Sequence, residues 1–337
     1  MMFNMKEIRK NKLNGQSHEL PETSGIIGFY KEQRMIYCRM SGNISAYISR
    51  HFDEDIENIN LGEMIDECDS IRFQETETIF DALLLEKLWK YDNQPEFNKR
   101  YRDYDSYQYL GLNFVKYPFL KMQNDTIEDY FYIGPFRDPY LVHDAIDILS
   151  RVFQTPVCAA GEMPCDLLEN EQCKGYCVQN KELLGTDLVR YYLLPEQRDM
   201  VILDELKKKL MQELNFKRAD ELSNYQQRLQ HFHGQITFLA VTKWLNLKFE
   251  YKGKQIIIEK GLLKQDGKQE YFIAGMEYQI NEQYAVDKSE LDERWVVFNY
   301  VKKLFPEELI IAYEKNREKL AGYLTSKEDK GKDERED

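Results

Sequence analysis

Four of the six cysteines in this 337-residue chain, Cys158, Cys165, Cys173 and Cys177, fall within 20 residues at the spacing C-x6-C-x7-C-x3-C. A loop this short and irregular buries little apolar surface by itself. Four thiolates on it can satisfy either tetrahedral zinc or an iron-sulfur cluster of the 4Fe-4S kind, and ordinary burial of free thiols is the plainer alternative. In a reducing cytosol such a cluster points to metal more than to disulfides. Cys38 and Cys68 are isolated and read as core residues. No run approaches the roughly 18 apolar residues of a bilayer span, and the start MMFNMKEIRKNKLNGQSHEL lacks the apolar region of a secretory signal, so the expected location is cytoplasmic.

Length and patterning predict an α+β multidomain protein. Residues 1–20 are polar and without period, and 323–337 is a mixed charge run, so both are expected to be disordered tails. Within 21–125, two short β-like runs at 25–30 and 35–38 flank a polar stretch, which is a hairpin signature. Helix-like stretches follow at 44–52 and 77–91, giving a small α+β domain. A second region, 126–194, holds a docked helix and then the cysteines. Asp138-Pro139 supplies an N-cap and a first-turn proline, and Leu141, Val142, Ala145, Ile146, Leu149, Val152 and Phe153 recur at helical spacing. Over 195–233, two amphipathic stretches broken at Leu214-Asn215 read as an antiparallel helical hairpin. The last module, 234–322, alternates strand-like runs (ITFLAV, LKFEY, QIIIEK, EYFIAGMEYQI) with turns and ends in a helix over 289–305.

At these motifs the sequence resembles UvrC, the incision subunit of bacterial nucleotide excision repair, and its short relative Cho. Tyr132-Ile-Gly-Pro-Phe136, the helix after it and C-x7-C-x3-C from Cys165 look like the segment that follows the family's first nuclease domain. Tyr132-Ile133-Gly134 therefore matches a Tyr-Phe-Gly-Pro block and not the nuclease signature. The resemblance implies that Cys158, Cys165, Cys173 and Cys177 hold an iron-sulfur cluster, with zinc as the alternative. Leu214-Asn-Phe216-Lys-Arg-Ala219-Asp-Glu-Leu222, continued by Leu229, is similar to the UVR motif shared by UvrB and UvrC. It implies that Phe216, Ala219, Leu222 and Leu229 present an apolar face to a UvrB-like partner, against the alternative of a hairpin packed only on itself.

Upstream, 24–121 resembles the GIY-YIG nuclease domain, best around Asp81-Ala-Leu-Leu-Leu-Glu86 and Pro95-Glu-Phe-Asn98. The resemblance implies Tyr37, Glu86 and Asn98 as site residues, with Glu86 as the ligand of one Mg²⁺ or Mn²⁺ that polarises a scissile phosphate. Without it, Glu86 would read as a solvated end of an apolar stripe. The early motifs depart from the family: Ile27 stands at the first tyrosine, Arg39 at a glycine, Met40 at the lysine and Tyr47 at the catalytic arginine. A missing acid/base group typically costs ~10²- to 10⁴-fold and a missing cation at phosphoryl charge ~10³- to 10⁵-fold.

Charge points the same way. The net charge of -13 opposes binding to a phosphate backbone, and 53–86 carries twelve acidic residues against Arg72 alone. Lys99-Arg100-Tyr101-Arg102 is the local cluster suited to DNA. Two functions follow from the resemblance: a UvrC- or Cho-like endonuclease making a metal-dependent single-strand incision in damaged DNA, or a catalytically inactive UvrC-like adaptor that binds UvrB, DNA or both.

Overall fold

The computed structural model describes residues 5–9, 20–53, 59–100, 104–115, 117–126, 130–157, 166–178, 181–194, 197–264 and 284–318. These fall into two compact units that divide between residues 103 and 104.

The first unit is built on an antiparallel sheet of order β1-β4-β2-β3, with β1 Lys6–Arg9, β2 Gly25–Lys31, β3 Arg34–Ser41 and β4 Ser70–Glu75. The segment GIIGFY is apolar without alternation because β2 is central and covered on both faces; all six residues are buried. Helix α1 (Ile44–Asp53) and helix α2 (Ile59–Glu67) contribute Ile44, Ile48, Met64 and Ile65 to a cluster with Ile27, Phe29 and Tyr37. Helix α3 (Ile79–Asn93) contributes Trp89 to a separate cluster with Ile26, Met35 and Cys38. Strand alternation puts Tyr37 and Cys38 on opposite faces, so α1 and α3 cover opposite sides of β3. Thr78 caps α3, its Oγ1 accepting from the Asp81 N–H at 3.1 Å. A four-residue helix α4 (Phe97–Arg100) completes the unit.

Two expectations need correction here. The tail expected at 1–20 contains β1, which pairs with the edge of β4 and is held by Lys6–Glu75 and Glu7–Arg72 ion pairs. An open strand edge recruits even a polar segment, because its N–H and C=O groups need partners. The 21–125 domain also ends earlier than its motifs suggest. Strands β5 (Gln108–Leu112) and β6 (Leu120–Gln123) hydrogen-bond in the second unit, in a sheet of order β11-β7-β5-β6.

In that sheet β7 (Phe131–Phe136) is central and wholly buried, antiparallel to β5 and parallel to β11 (Tyr284–Ala285). Helix α5 (Pro139–Phe153) follows the expected pattern, with the Asp138 Oδ1 accepting from the Tyr140 N–H at 3.0 Å. A short helix α6 (Asp166–Glu169) precedes Cys173, and α7 (Lys181–Leu188) runs into one wide turn, Val189–Leu193. Helices α8 (Gln197–Gln212) and α9 (Phe216–Thr242) form the hairpin; the Gln226 Nε2 donates to the Asp204 Oδ1 at 3.2 Å across it. Leu214 takes a left-handed φ of 59° at the break, and the Asn215 side chain caps α9.

The strand expected at ITFLAV is helical, because α9 continues to Thr242 and buries Ile236, Phe238, Leu239, Ala240 and Val241. β-branched propensity yields to packing on several sides. The runs LKFEY and QIIIEK are strands β8 (Leu247–Tyr251) and β9 (Lys254–Glu259), joined by β10 (Leu262–Lys264). Helix α10 (Leu291–Leu304) matches the expected terminal helix, and a further helix spans 306–318. The run EYFIAGMEYQI and the tail 323–337 lie outside the described residues.

Candidate functional site

Glu86 sits on the buried side of α3, and its side chain is 5% exposed. An isolated carboxylate there would be neutralised, since burial pushes the carboxyl group upward. Two cations oppose this. Lys90, one turn along α3, brings its Nζ to 3.0 Å from Glu86 Oε1, and Arg39 from β3 brings its Nη1 to 3.9 Å from the same oxygen. Although desolvation acts upward, Lys90 and then Arg39 outweigh it and, with a hydrogen bond from the Met40 backbone, hold the Glu86 carboxyl below its ordinary value. Glu86 Oε1 nevertheless receives no well-aligned hydrogen bond. The Lys90 contact acts on the carboxylate chiefly through its charge.

The remaining candidates are engaged within the same unit. The Tyr37 hydroxyl lies 3.2 Å from that of Tyr47, the residue at the family's arginine position. Tyr37 packs edge to face on Phe29 at 5.6 Å, in the cluster beneath α1 and across the sheet from α3. Ile27 is fully buried and Met40 is 9% exposed, so both positions where the family has polar groups are core. Asn98 acts as a surrogate strand: its Oδ1 accepts from the Cys38 N–H and its Nδ2 donates to the Cys38 carbonyl, both at 2.8 Å. It thereby satisfies the outer edge of β3. Burial pushes the Cys38 thiol up to about 12, with the Glu86 charge adding to the effect.

The structure thus gathers Glu86 and Arg39 with Lys90 at β3 and α3, with Asn98 clamping the adjacent Cys38 backbone, and directs Tyr37 toward Tyr47 on the other face. Sequence reading missed Lys90, although Glu followed by Lys at i+4 on a helix is a legible signal. The carboxylate does not fit a divalent ion as it stands, because its Oε1 already faces the ammonium of Lys90 and the guanidinium of Arg39.

Of the cysteines, Cys158 and Cys165 lie outside the described residues, whereas Cys173 and Cys177 are half-buried. The Gly175 N–H donates to the Cys173 Sγ at 3.4 Å. Between them, Tyr176 is fully buried. Its hydroxyl donates to Asp187 at 2.6 Å and lies 2.9 Å from the Gln154 carbonyl, while Lys174 pairs with Asp187 at 2.7 Å. Among the described residues no three His, Cys, Asp or Glu side chains are grouped to hold a metal ion.

The hairpin residues also separate. Ala219 and Leu229 are buried within this chain and Leu222 is half-buried, while Phe216 is 60% exposed beside exposed Met211 and Leu214. Leu229 is fully buried, and α9 lies on α5, where Arg228 pairs with Asp144. Of the basic cluster, Lys99 is exposed and Tyr101 and Arg102 lie outside the described residues. Among the described residues no helix is long and apolar enough to cross a membrane.

These units define a mixed α/β chain, and comparison with known proteins makes it UvrC-like. It is 29% identical over 172 residues to UvrABC system protein C of Parafrankia sp. (strain EAN1pec), covering 47% of this chain and 25% of that protein. The same protein of Thermobifida fusca is 30% identical over 171 residues (47% and 26%), and that of Methylobacillus flagellatus 25% over 238 residues (68% and 38%). The chain thus spans about a quarter to two fifths of the length of these relatives. No family model matches. Solved structures include the GIY-YIG N-terminal endonuclease domain of UvrC from Thermotoga maritima bound to magnesium, at 17% identity and a TM-score of 0.24, covering 26% of this chain and 96% of that one.

Proposed function

We propose that this chain is a UvrC-like factor of nucleotide excision repair whose GIY-YIG-like unit no longer cuts, and that it acts as an adaptor between DNA and a UvrB-type protein. The observation that carries this reading is that Glu86, the residue resembling the family's metal ligand, is buried against Lys90 and Arg39. Incision needs an open carboxylate for the ion, a base and a cation for the phosphate. Here Tyr37 is committed to Tyr47, Asn98 to the Cys38 backbone, and Met40 is core.

In this reading the four-cysteine segment holds a 4Fe-4S cluster or zinc, with Tyr176 and Lys174 anchoring its second half on Asp187. The hairpin of α8 and α9 offers Phe216, Met211 and Leu214 to the UvrB-type partner, while Ala219 and Leu229 hold the hairpin to its own unit.

The second reading, slow metal-dependent single-strand incision, is favoured by one observation: Arg39 reaches Glu86 and supplies a cation the motif otherwise lacks. A nicking assay on damaged duplex with Mg²⁺ or Mn²⁺ separates the two. Equal, negligible cleavage by wild type and Glu86→Ala supports the adaptor; cleavage by wild type that Glu86→Ala abolishes supports incision. Pull-down of a UvrB-type protein that is lost on Phe216→Asp tests the docking surface.

A further inference from the structure

We propose that Lys90 is a built-in substitute for the catalytic cation: its ammonium sits against Glu86 Oε1 in the place of a divalent ion, and the unit excludes metal for that reason rather than through loss of its carboxylate. The proposal rests on the adaptor reading and gives it a specific cause.

Three features of the geometry support it. Glu86 Oε1 is buried, and the side chains that meet it are the two cations. Lys90 Nζ lies 3.0 Å from that atom, while Arg39 is farther away at 3.9 Å. The carboxylate is fixed within the core, yet Lys90 is 33% exposed, so its ammonium enters from the solvent side, as an ion would. Magnesium and manganese keep several waters and need only one or two carboxylates. The obstacle is then electrostatic: a unit charge about 4 Å from a divalent ion repels it strongly even at the moderate effective dielectric of a half-buried site.

Removing that charge should open the site. Mn²⁺ binding, read by electron paramagnetic resonance of the free ion during titration of the full chain, is expected to be absent at Glu86 in wild type. It should appear in Lys90→Met, at least about tenfold tighter than the wild-type detection limit, a difference of ~1.4 kcal/mol, and be lost again in Lys90→Met/Glu86→Gln. Mn²⁺ should also raise the melting temperature of Lys90→Met but not of the double variant, because an ion that binds only the folded state stabilises it. Lys90→Gln provides the same measurement where Lys90→Met does not fold. Glu86-dependent Mn²⁺ binding by wild type, or a folded Lys90 variant that gains none, would overturn the proposal. Nicking by wild type that is unchanged by Glu86→Gln would instead sink the adaptor reading and leave this proposal standing. Mn²⁺ bound by Lys90→Met without nicking supports both.

Discussion

Lys90→Met has a second consequence, for stability and its pH dependence. It removes the 3.0 Å partner of a carboxylate that is 5% exposed. Stripping one partner from a buried pair costs ~3–5 kcal/mol when the remaining charge is left alone. Arg39 stays at 3.9 Å and Lys90 is itself 33% exposed, so the expected loss is nearer ~1–3 kcal/mol. In wild type the folded Glu86 carboxyl is held below its ordinary 4.5. Its contribution is therefore fully present above that pH and is lost as pH falls through the lower folded value. Without Lys90 the largest of the lowering influences is gone while desolvation stays, so the folded carboxyl rises from its depressed position. The stability that the carboxylate adds above its ordinary value shrinks accordingly, and so does the loss on acidification. Hydrogen exchange followed by mass spectrometry on α3 and β3 peptides between pH 4 and 8 reports the opening energy of this unit apart from the other. Equal protection in variant and wild type, or an equally steep loss of protection toward pH 4, would refute this; Lys90→Met/Glu86→Gln should recover much of the loss.

Asn98→Ala removes two 2.8 Å hydrogen bonds from the Cys38 backbone and should cost ~1–3 kcal/mol, with faster exchange of the Cys38 amide as its specific sign. Leu229→Ala, at a fully buried position, should cost ~2–5 kcal/mol, whereas Phe216→Ala, at a 60% exposed one, should change melting by no more than ~0.5 kcal/mol and act on partner binding alone. Tyr176→Phe should lower the stability of the cysteine-bearing segment by ~1–2 kcal/mol, read as earlier proteolysis there, because Asp187 loses its 2.6 Å donor. Burial lowers His233 from its ordinary 6.5 to about 4, with its Nε2 unpartnered. Its neutral ring is stable above 6.5, and ~1–2 kcal/mol should be lost as pH falls from there through 4, a dependence that His233→Phe removes in acid melts.

Sequence patterning revealed most of the elements and less of their grouping. The Asp138-Pro139 cap, the stripe of α5 and the Leu214-Asn215 break between α8 and α9 are set by local chemistry, and each lies where its residues place it. Grouping depends on partners distant in sequence. Strand β5 sits among motifs of the first domain, yet its hydrogen bonds run to β7 and β6, and nothing within 108–112 announces this. The polar segment β1 becomes a strand only because β4 has an edge to fill. At the candidate site, the identities of Glu86, Tyr37 and Asn98 could be read from sequence, whereas their engagement could not. That Asn98 would face a backbone and Tyr37 a second hydroxyl depends on which side of β3 each helix covers. The Lys90 pairing is legible in its i+4 spacing from Glu86, yet the sequence reading missed it.

The Glu86 carboxylate already has its cation in Lys90, at 3.0 Å. Anomalous scattering from crystals of the wild-type chain soaked in Mn²⁺ tests this at the atom concerned. The account predicts Lys90 density against Glu86 and no manganese peak there; a peak within ~2.2 Å of the carboxylate, the bonding distance of a small divalent ion, with Lys90 displaced into solvent, would contradict it.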